Sequence, residues 1–262
     1  MTPKLMGVVN VTPDSFSDGG LYLDPEAAIS HGEDLARAGA AILDVGGEST
    51  RPGAEAVALE EELRRVAPVV AGLAGGEAAI SVDTSKAAVA EAALDGGAAI
   101  VNDVTALRGD PEMAALCADR EATVVLMHML GSPRTMQENP VYDDVVEDVK
   151  VFLAERMTTA IAAGVAEERI WLDPGIGFGK TAEHNLELLR RLGELRELGR
   201  PLVIGTSRKS FIGKVDGSDA STRLGGTIAS SVLAAAEGAE VLRVHDVTEL
   251  GQAIVVASAI LG

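Results

Sequence analysis

The chain has 262 residues, with 22 Lys and Arg against 40 Asp and Glu and a formal net charge of -18, so nucleic acid and anionic membrane surfaces are excluded as partners. With 47% hydrophobic but only 3% aromatic residues, its core is aliphatic and large enough to fold alone. A single cysteine, Cys117, excludes an internal disulfide, suits a reducing compartment and falls in an Ala-rich helical run as a buried structural thiol.

The opening residues MTPKLMGVVN carry no long apolar region behind a basic cluster, and no apolar stretch approaches the roughly 20 residues that span a bilayer. A cytoplasmic protein is expected. The first strand, Leu5 to Val9, ends at Asn10 and breaks into a polar loop. There Thr12, Pro13, Asp14, Ser15, Ser17 and Asp18 surround one aromatic, Phe16, before Gly19 and Gly20. A simple connection needs only about 2 to 6 residues, so this longer loop is read as functional.

Beyond it, short apolar runs alternate with amphipathic Ala/Leu/Glu/Arg stretches, the pattern of repeated βα units on a parallel sheet. Strands are expected at Ala41 to Val45, Ala79 to Val82, Ala99 to Val101, Thr123 to Met127, Ile170 to Leu172, Leu202 to Ile204 and Val241 to Val244. Asp24-Pro25 and Asp110-Pro111 each place a capping carboxylate before a proline at the first helical position. Gly39, Gly72, Gly96, Gly164 and Gly238 are read as helix stops. Eight such units without a linker or composition shift predict one domain over 1–262, a (β/α)8 TIM barrel, with a doubly wound open sheet as the alternative.

Almost every expected strand stops at a polar or ionisable residue: Asn10, Glu48-Ser49-Thr50-Arg51, Asp83-Thr84-Ser85, Asn102-Asp103, His128, Asp173, Ser207-Arg208-Lys209, and Arg243 with His245. Barrel chemistry sits at the C-terminal mouth, so these residues converge on one ligand. Asp83, Asp173 and Asn102 suit a flat heterocycle whose N–H donors meet carboxylates and whose ring acceptors meet an amide. Taken alone, Asp173-Pro174-Gly175 is an ordinary turn and Asp83 a cap for a helix starting near Lys86. Ser207, Arg208, Lys209, Ser210, Arg243 and His245 concentrate positive charge after strands seven and eight, where barrels frequently hold phosphate. Lys209, Arg243 and His245 are assigned to ligand, and Asp246 to a cap of the last helix.

Gly175-Ile176-Gly177-Phe178-Gly179-Lys180-Thr181 fails the phosphate-loop pattern, because Pro174 stands where a glycine is needed, and also the dinucleotide pattern. It is read as a flexible glycine loop over the mouth with Phe178 as an apolar wall. Met127-His128-Met129 has no companion Cys or His cluster and reads as lining of barrel or mouth. His31 and His184 read as solvated, and Trp171 as packed against a helix.

These residues carry a resemblance to the dihydropteroate synthases, which join a pterin to p-aminobenzoate in the folate pathway. It rests on MGVVNVTPDSFSDGG at Met6 to Gly20, GGESTRPGA at Gly46 to Ala54, SVDTSK at Ser81 to Lys86, VNDV at Val101 to Val104, LDPGIGFGKT at Leu172 to Thr181, SRKSFIG at Ser207 to Gly213 and RVHDV at Arg243 to Val247. The resemblance implies that Asp83, Asn102, Asp173 and Lys209 hold the pterin, while Asn10, Arg243 and His245 face the pyrophosphate and Asn10 also approaches Mg2+. Phe16, Thr50, Arg51 and Pro52 are implied around the leaving group and the aminobenzoate, with Phe178 and Ser210 completing that pocket. A homodimer and membership of a family that is a sulfonamide target belong to the same implication. Pyrophosphate would leave the pterin methylene, helped by Mg2+ and by Lys209, Arg243 and His245, and the aryl amine would attack that carbon. Val104-Thr105-Ala106 and Leu130 depart from the family pattern without removing a named ligand. The competing expectations are a corrinoid-type pterin methyltransferase and an inactive pterin-binding paralogue.

Overall fold

The computed structural model describes residues 2–12, 24–50, 53–131 and 135–262. The Phe16 loop and the Arg51-Pro52 pair therefore lie outside the described residues. The strands are β1 (Lys4–Asn10), β2 (Ile42–Gly46), β3 (Ala79–Asp83), β4 (Ile100–Asp103), β5 (Thr123–Met127), β6 (Ile170–Asp173), β7 (Val203–Ile204) and β8 (Val241–Val244). They alternate with α1 (Pro25–Arg37), α2 (Leu59–Leu73), α3 (Ala87–Asp95), α4 (Met113–Asp119), α5 (Val145–Ala162), α6 (Ala182–Arg190), α7 (Leu192–Leu195), α8 (Ser210–Asp216), α9 (Leu224–Ala236) and α10 (Val247–Leu261).

All strand pairs are parallel, in the order β6-β5-β4-β3-β2-β1-β8-β7. The ring closes between β6 and β7 through a parallel bridge of Leu172 to Leu202, with the Leu172 N–H donating to Pro201 O at 2.9 Å. This is the expected (β/α)8 barrel, and closure removes the edges that the open-sheet alternative would leave.

Strand alternation divides the apolar residues into two cores. Leu5, Val9, Leu43, Val45, Val82, Val124, Leu126, Leu172 and Leu242 face outward and pack beneath the helices. Met6, Ile42, Ile100, Val125, Val203 and Val241 face inward and plug the lower barrel, and Trp171 packs on this plug rather than on a helix. Trp171 is opposite Val125 in register, and the same parity that places Val125 inside places the indole there. The plug floors the barrel, so the polar groups two residues further along β2, β4, β6 and β8, Asp44, Asn102, Asp173 and Arg243, stand on an apolar base.

Asp24 caps α1 by accepting the Glu26 N–H, with Pro25 at the first turn, as expected. Asp110 behaves differently. Its carboxylate accepts from Glu112 N–H at 3.0 Å and reaches back to the first amide of α3, Ala87, at 2.9 Å, while α4 starts later at Met113. Gly39, Gly164 and Gly238 take positive φ after their helices. Gly72 instead lies inside α2, pressed on Ile29, and Gly97 rather than Gly96 takes the left-handed position after α3. Cys117 is buried, and burial pushes its thiol up to about 12, so it is inert packing.

Candidate active site

One step above the plug, the inward parity of β2, β3, β4 and β8 falls on Asp44, Ser81 and Asp83, Asn102, and Arg243. Asp44 is fully buried. Its carboxylate accepts from Ser81 Oγ at 2.6 Å, Asn102 Nδ2 at 3.1 Å and Arg243 Nε at 2.6 Å. Arg243 also donates from Nη2 to Asp83 Oδ2 at 2.9 Å. The guanidinium spans the barrel from β8 to β2 and β3. Burial works against its charge, but Asp44 and Asp83 more than offset that and raise its pKa.

Asp83 is thus no helix cap: α3 starts from Lys86 without a side-chain cap. Burial pushes the Asp83 carboxyl up to about 7, against the pull of Arg243, with Asp44 adding repulsion. Asn102, 4% exposed, stands beside it in register. Asp103, by contrast, faces out of the barrel, and its carboxylate accepts from the Thr105 and Leu107 N–H groups at 2.8 Å, which is a loop anchor.

Asp173 is both a turn former and a mouth acid. It accepts the Gly175 N–H at 2.7 Å, and burial raises its pKa against the opposing charges of Lys209 and Arg243. Lys209, at the N-terminus of α8, donates from Nζ to Ile176 O and lies 4.6 Å from the Phe178 ring centroid. Burial lowers its pKa to about 8, with Asp173 and Asp83 opposing.

The glycine loop that presents Ile176 and Phe178 to Lys209 is clamped rather than flexible. Lys180 is 2% exposed, and its Nζ donates to Gly175 O and Phe178 O at 3.0 Å and pairs with His128 Nδ1 at 2.8 Å. Burial, then the neighbouring Lys180, holds His128 down to about 2, so its imidazole stays neutral. Tyr142 Oη adds a bond to Gly179 O at 2.7 Å, and Asn185 Oδ1 accepts the Gly177 N–H at 2.6 Å. A side chain at Gly175 would collide with the His128 carbonyl, and one at Gly179 with Leu130, both at positive φ. Met127, Met129 and Met136 join Val104 and Phe178 in an apolar lining, while His128 turns away onto Phe152 of α5. His184, expected to be solvated, instead closes a capping box with Thr181 at the start of α6.

On the phosphate side, His245 Nδ1 pairs with Ser207 Oγ at 2.9 Å. Arg208 is bound by Asp246 through Nε at 3.0 Å and through Nη2, so Asp246 serves this ion pair and makes no side-chain cap for α10. Ser210, exposed, opens α8, and Asn10 ends β1 opposite Gly46. The loop after β2 carries Thr50 to a cavity of about 230 Å³ whose walls include Ser49, Thr50, Asp83, Thr84 and Val104.

Sequence reasoning missed Asp44 and Lys180. Asp44 was signalled by its place two residues after Ile42 in an otherwise apolar strand, which puts a carboxylate inside the barrel. Lys180 looked like a failed nucleotide motif, and nothing local marks a lysine for burial.

Over residues 6–245 the chain matches the family described as pterin binding enzyme. The dihydropteroate synthase of Neisseria meningitidis serogroup C is 50% identical over 256 residues, spanning 96% of this chain and 90% of that relative. The crystal structure of Yersinia pestis dihydropteroate synthase with a sulfonamide drug superposes at a TM-score of 0.96 with 44% identity, covering 99% of this chain and 94% of the other. Dihydropteroate synthase from Xanthomonas albilineans in complex with 7,8-dihydropteroate superposes at 0.89 with 46% identity, covering 100% and 94%.

Proposed function

The chain belongs to the pterin binding enzymes, among the dihydropteroate synthases, and from that premise we infer how its strand ends carry the reaction. It condenses 6-hydroxymethyl-7,8-dihydropterin pyrophosphate with p-aminobenzoate to give 7,8-dihydropteroate and pyrophosphate. The observation that carries the mechanism is the polar layer standing on the apolar plug: Asp83 and Asn102 on β3 and β4, Asp173 at the end of β6, and Lys209 at the start of α8.

The two acids and the amide take the amino-pyrimidine edge of the pterin, and Lys209 supplies a donor on the opposite wall. Arg243 and His245 keep donors below and beside the mouth for the negative charge that grows on the departing pyrophosphate. The C–O bond at the pterin methylene breaks with its electron pair going to pyrophosphate, the aryl amine nitrogen bonds to that carbon, and the nitrogen then sheds a proton. The amine is already a nucleophile, so no activated Ser or Cys is needed. Phe178 and Ser210 bound the p-aminobenzoate side with Thr50, and the role extends to Phe16, Arg51 and Pro52 outside the described residues.

Mg2+ is the proposed cofactor. Among the described residues no group of three or more His, Cys, Asp or Glu could hold a metal, whereas Asn10 offers one hard oxygen at the mouth. That donor set fits Mg2+, which is commonly bound through one or two side chains plus substrate phosphates. When bound it would supply charge compensation to the pyrophosphate. A reducing compartment, the cytoplasm, is supported by the lone buried thiol. A homodimer is supported by the apolar face of α9 and α10, where Leu233, Val255, Val256 and Ile260 are 65%, 66%, 54% and 77% exposed.

The test is pyrophosphate release from the dihydropterin pyrophosphate with Mg2+, with and without p-aminobenzoate. Release that depends on p-aminobenzoate and yields dihydropteroate is expected. Pterin binding without release would leave a binding protein.

A further inference from the structure

Glu48, Glu62, Thr84 and Lys86 form a second polar cluster that the reaction as described does not use. Glu62 projects from α2, and its side chain is 1% exposed. Its Oε1 accepts from Thr84 Oγ1 at 2.7 Å, and its Oε2 is paired with Lys86. The same Lys86 ammonium pairs with Glu48, in the loop after β2. One turn along α2, Arg65 Nη1 donates to Gly47 O at 2.8 Å. A side chain at Gly47 would meet Val66 at 2.7 Å, so this backbone is pressed directly onto α2.

The consequence is geometric. The first residues of the β2 loop are held by a lysine whose ammonium is also locked to a buried glutamate, and that glutamate is locked to the residue following Asp83. Glu48, Thr50, Glu62, Asp83 and Thr84 line one cavity, so the strut is the wall between the β2 loop and the pterin acid. A paired charge with one member buried contributes little net stability, because desolvation cancels most of the attraction. A hydrophobic contact would anchor α2 as well. What the ion pair adds is a fixed length and direction for the loop.

We propose that Lys86, braced by Glu62, is a positioning residue that sets Glu48 and hence Thr50 over the pterin pocket, so that the loop receives p-aminobenzoate. This rests on the synthase reading above. In this role the strut acts through the loop. Losing it leaves Asp83, Asn102 and Asp173 in place and lets the loop wander, so the p-aminobenzoate side weakens while the pterin side holds.

The experiment uses the full chain with Mg2+, and first establishes p-aminobenzoate-dependent pyrophosphate release by the wild type. Failure of that control removes the synthase reading itself before any variant is measured. Glu48→Gln, Lys86→Met, their double variant and Lys86→Arg are then compared by KM for p-aminobenzoate at saturating pterin pyrophosphate, and by calorimetric affinity for the pterin pyrophosphate alone. Glu48→Gln leaves the Lys86–Glu62 pair intact and so tests the strut even where Lys86→Met fails to fold. Glu48→Gln and Lys86→Met are each expected to raise the p-aminobenzoate KM about tenfold, with pterin affinity within about twofold of wild type. The double variant should do no more than the worse single, because both cut one link, and Lys86→Arg should recover most of the loss. An unchanged p-aminobenzoate KM in Glu48→Gln, an equal loss of pterin affinity, or additive effects in the double variant would overturn the proposal.

Discussion

Asp83 and Lys209 face the same pocket with charges shifted in opposite senses. Burial pushes the Asp83 carboxyl up to about 7 and lowers Lys209 to about 8. Below pH 7 Asp83 gains a proton and loses acceptor capacity for pterin N–H groups; above pH 8 Lys209 loses its charge. The expected kcat/KM for the pterin pyrophosphate therefore rises as pH passes about 7 and falls as it passes about 8. A pH series on Asp83→Asn should lack the acid limb, and one on Lys209→Met the alkaline limb; a flat wild-type profile would remove both assignments.

Arg243 carries a different consequence, since it is the counter-charge for both Asp44 and Asp83. Arg243→Ala leaves two buried carboxylates without it and should cost about 3–5 kcal/mol of stability in denaturant titration. It should also depress turnover through lost leaving-group stabilisation, by about 100-fold or more. Arg243→Lys retains a charge and should recover part of both losses, whereas an Arg243→Ala variant that folds with normal turnover would show that the residue serves the fold alone.

At the level of elements, helix ends explain which local signals translated and which did not. Asp24-Pro25 did, because cap, proline and helix are contiguous and need no distant partner. Asp110-Pro111 did not, because its carboxylate serves the amide of Ala87, which only folding brings near. After α4 the left-handed position is held by Glu121, exposed, with φ of 49°. Glycine adopts that conformation without the Cβ penalty, so Glu121→Gly should stabilise the protein by about 0.5–1 kcal/mol. A thermal melt checks this, with a rise of about 1–4 °C expected for a chain of this size. The glycine loop shows the opposite case. Its composition suggested mobility, yet Lys180, Tyr142 and Asn185 clamp it through its backbone.

The whole molecule is strongly acidic, whereas Lys209 and Arg243 stand at the mouth beside Asp83 and Asp173. The apolar face of α9 and α10 stands out against this charged surface, with a groove lined by Ile228, Ala253, Val256, Ala257 and Ile260 together with Glu249 and Gln252. A glutamate at Val256 or Ile260 would be solvated in a monomer and buried in a dimer across this face. Val256→Glu with Ile260→Glu should therefore sediment as a monomer where the wild type sediments as a dimer; a wild type that sediments as a monomer would dismiss the dimer.

The chain by itself determined the eight-unit barrel, its strand limits to within a residue or two, and the placing of Asn10, Asp83, Asn102 and Asp173 at or beside strand ends. Those properties follow from local periodicity and from the rule that barrel strands end at the active face. The tertiary structure alone decided the partners. Asp44 and Arg243 are 199 residues apart, Lys180 and His128 are 52 apart, and Lys86 reaches Glu62 across 24, so no window of sequence contains both ends of these contacts. Burial also depends on the closed sheet: parity says which side of a strand a residue faces, but only ring closure and the apolar plug make the inner side dry. That is why Asp44 is a buried anchor and Trp171 a stopper, whereas in a doubly wound open sheet the same strand faces would lie under helices and would not converge on one another.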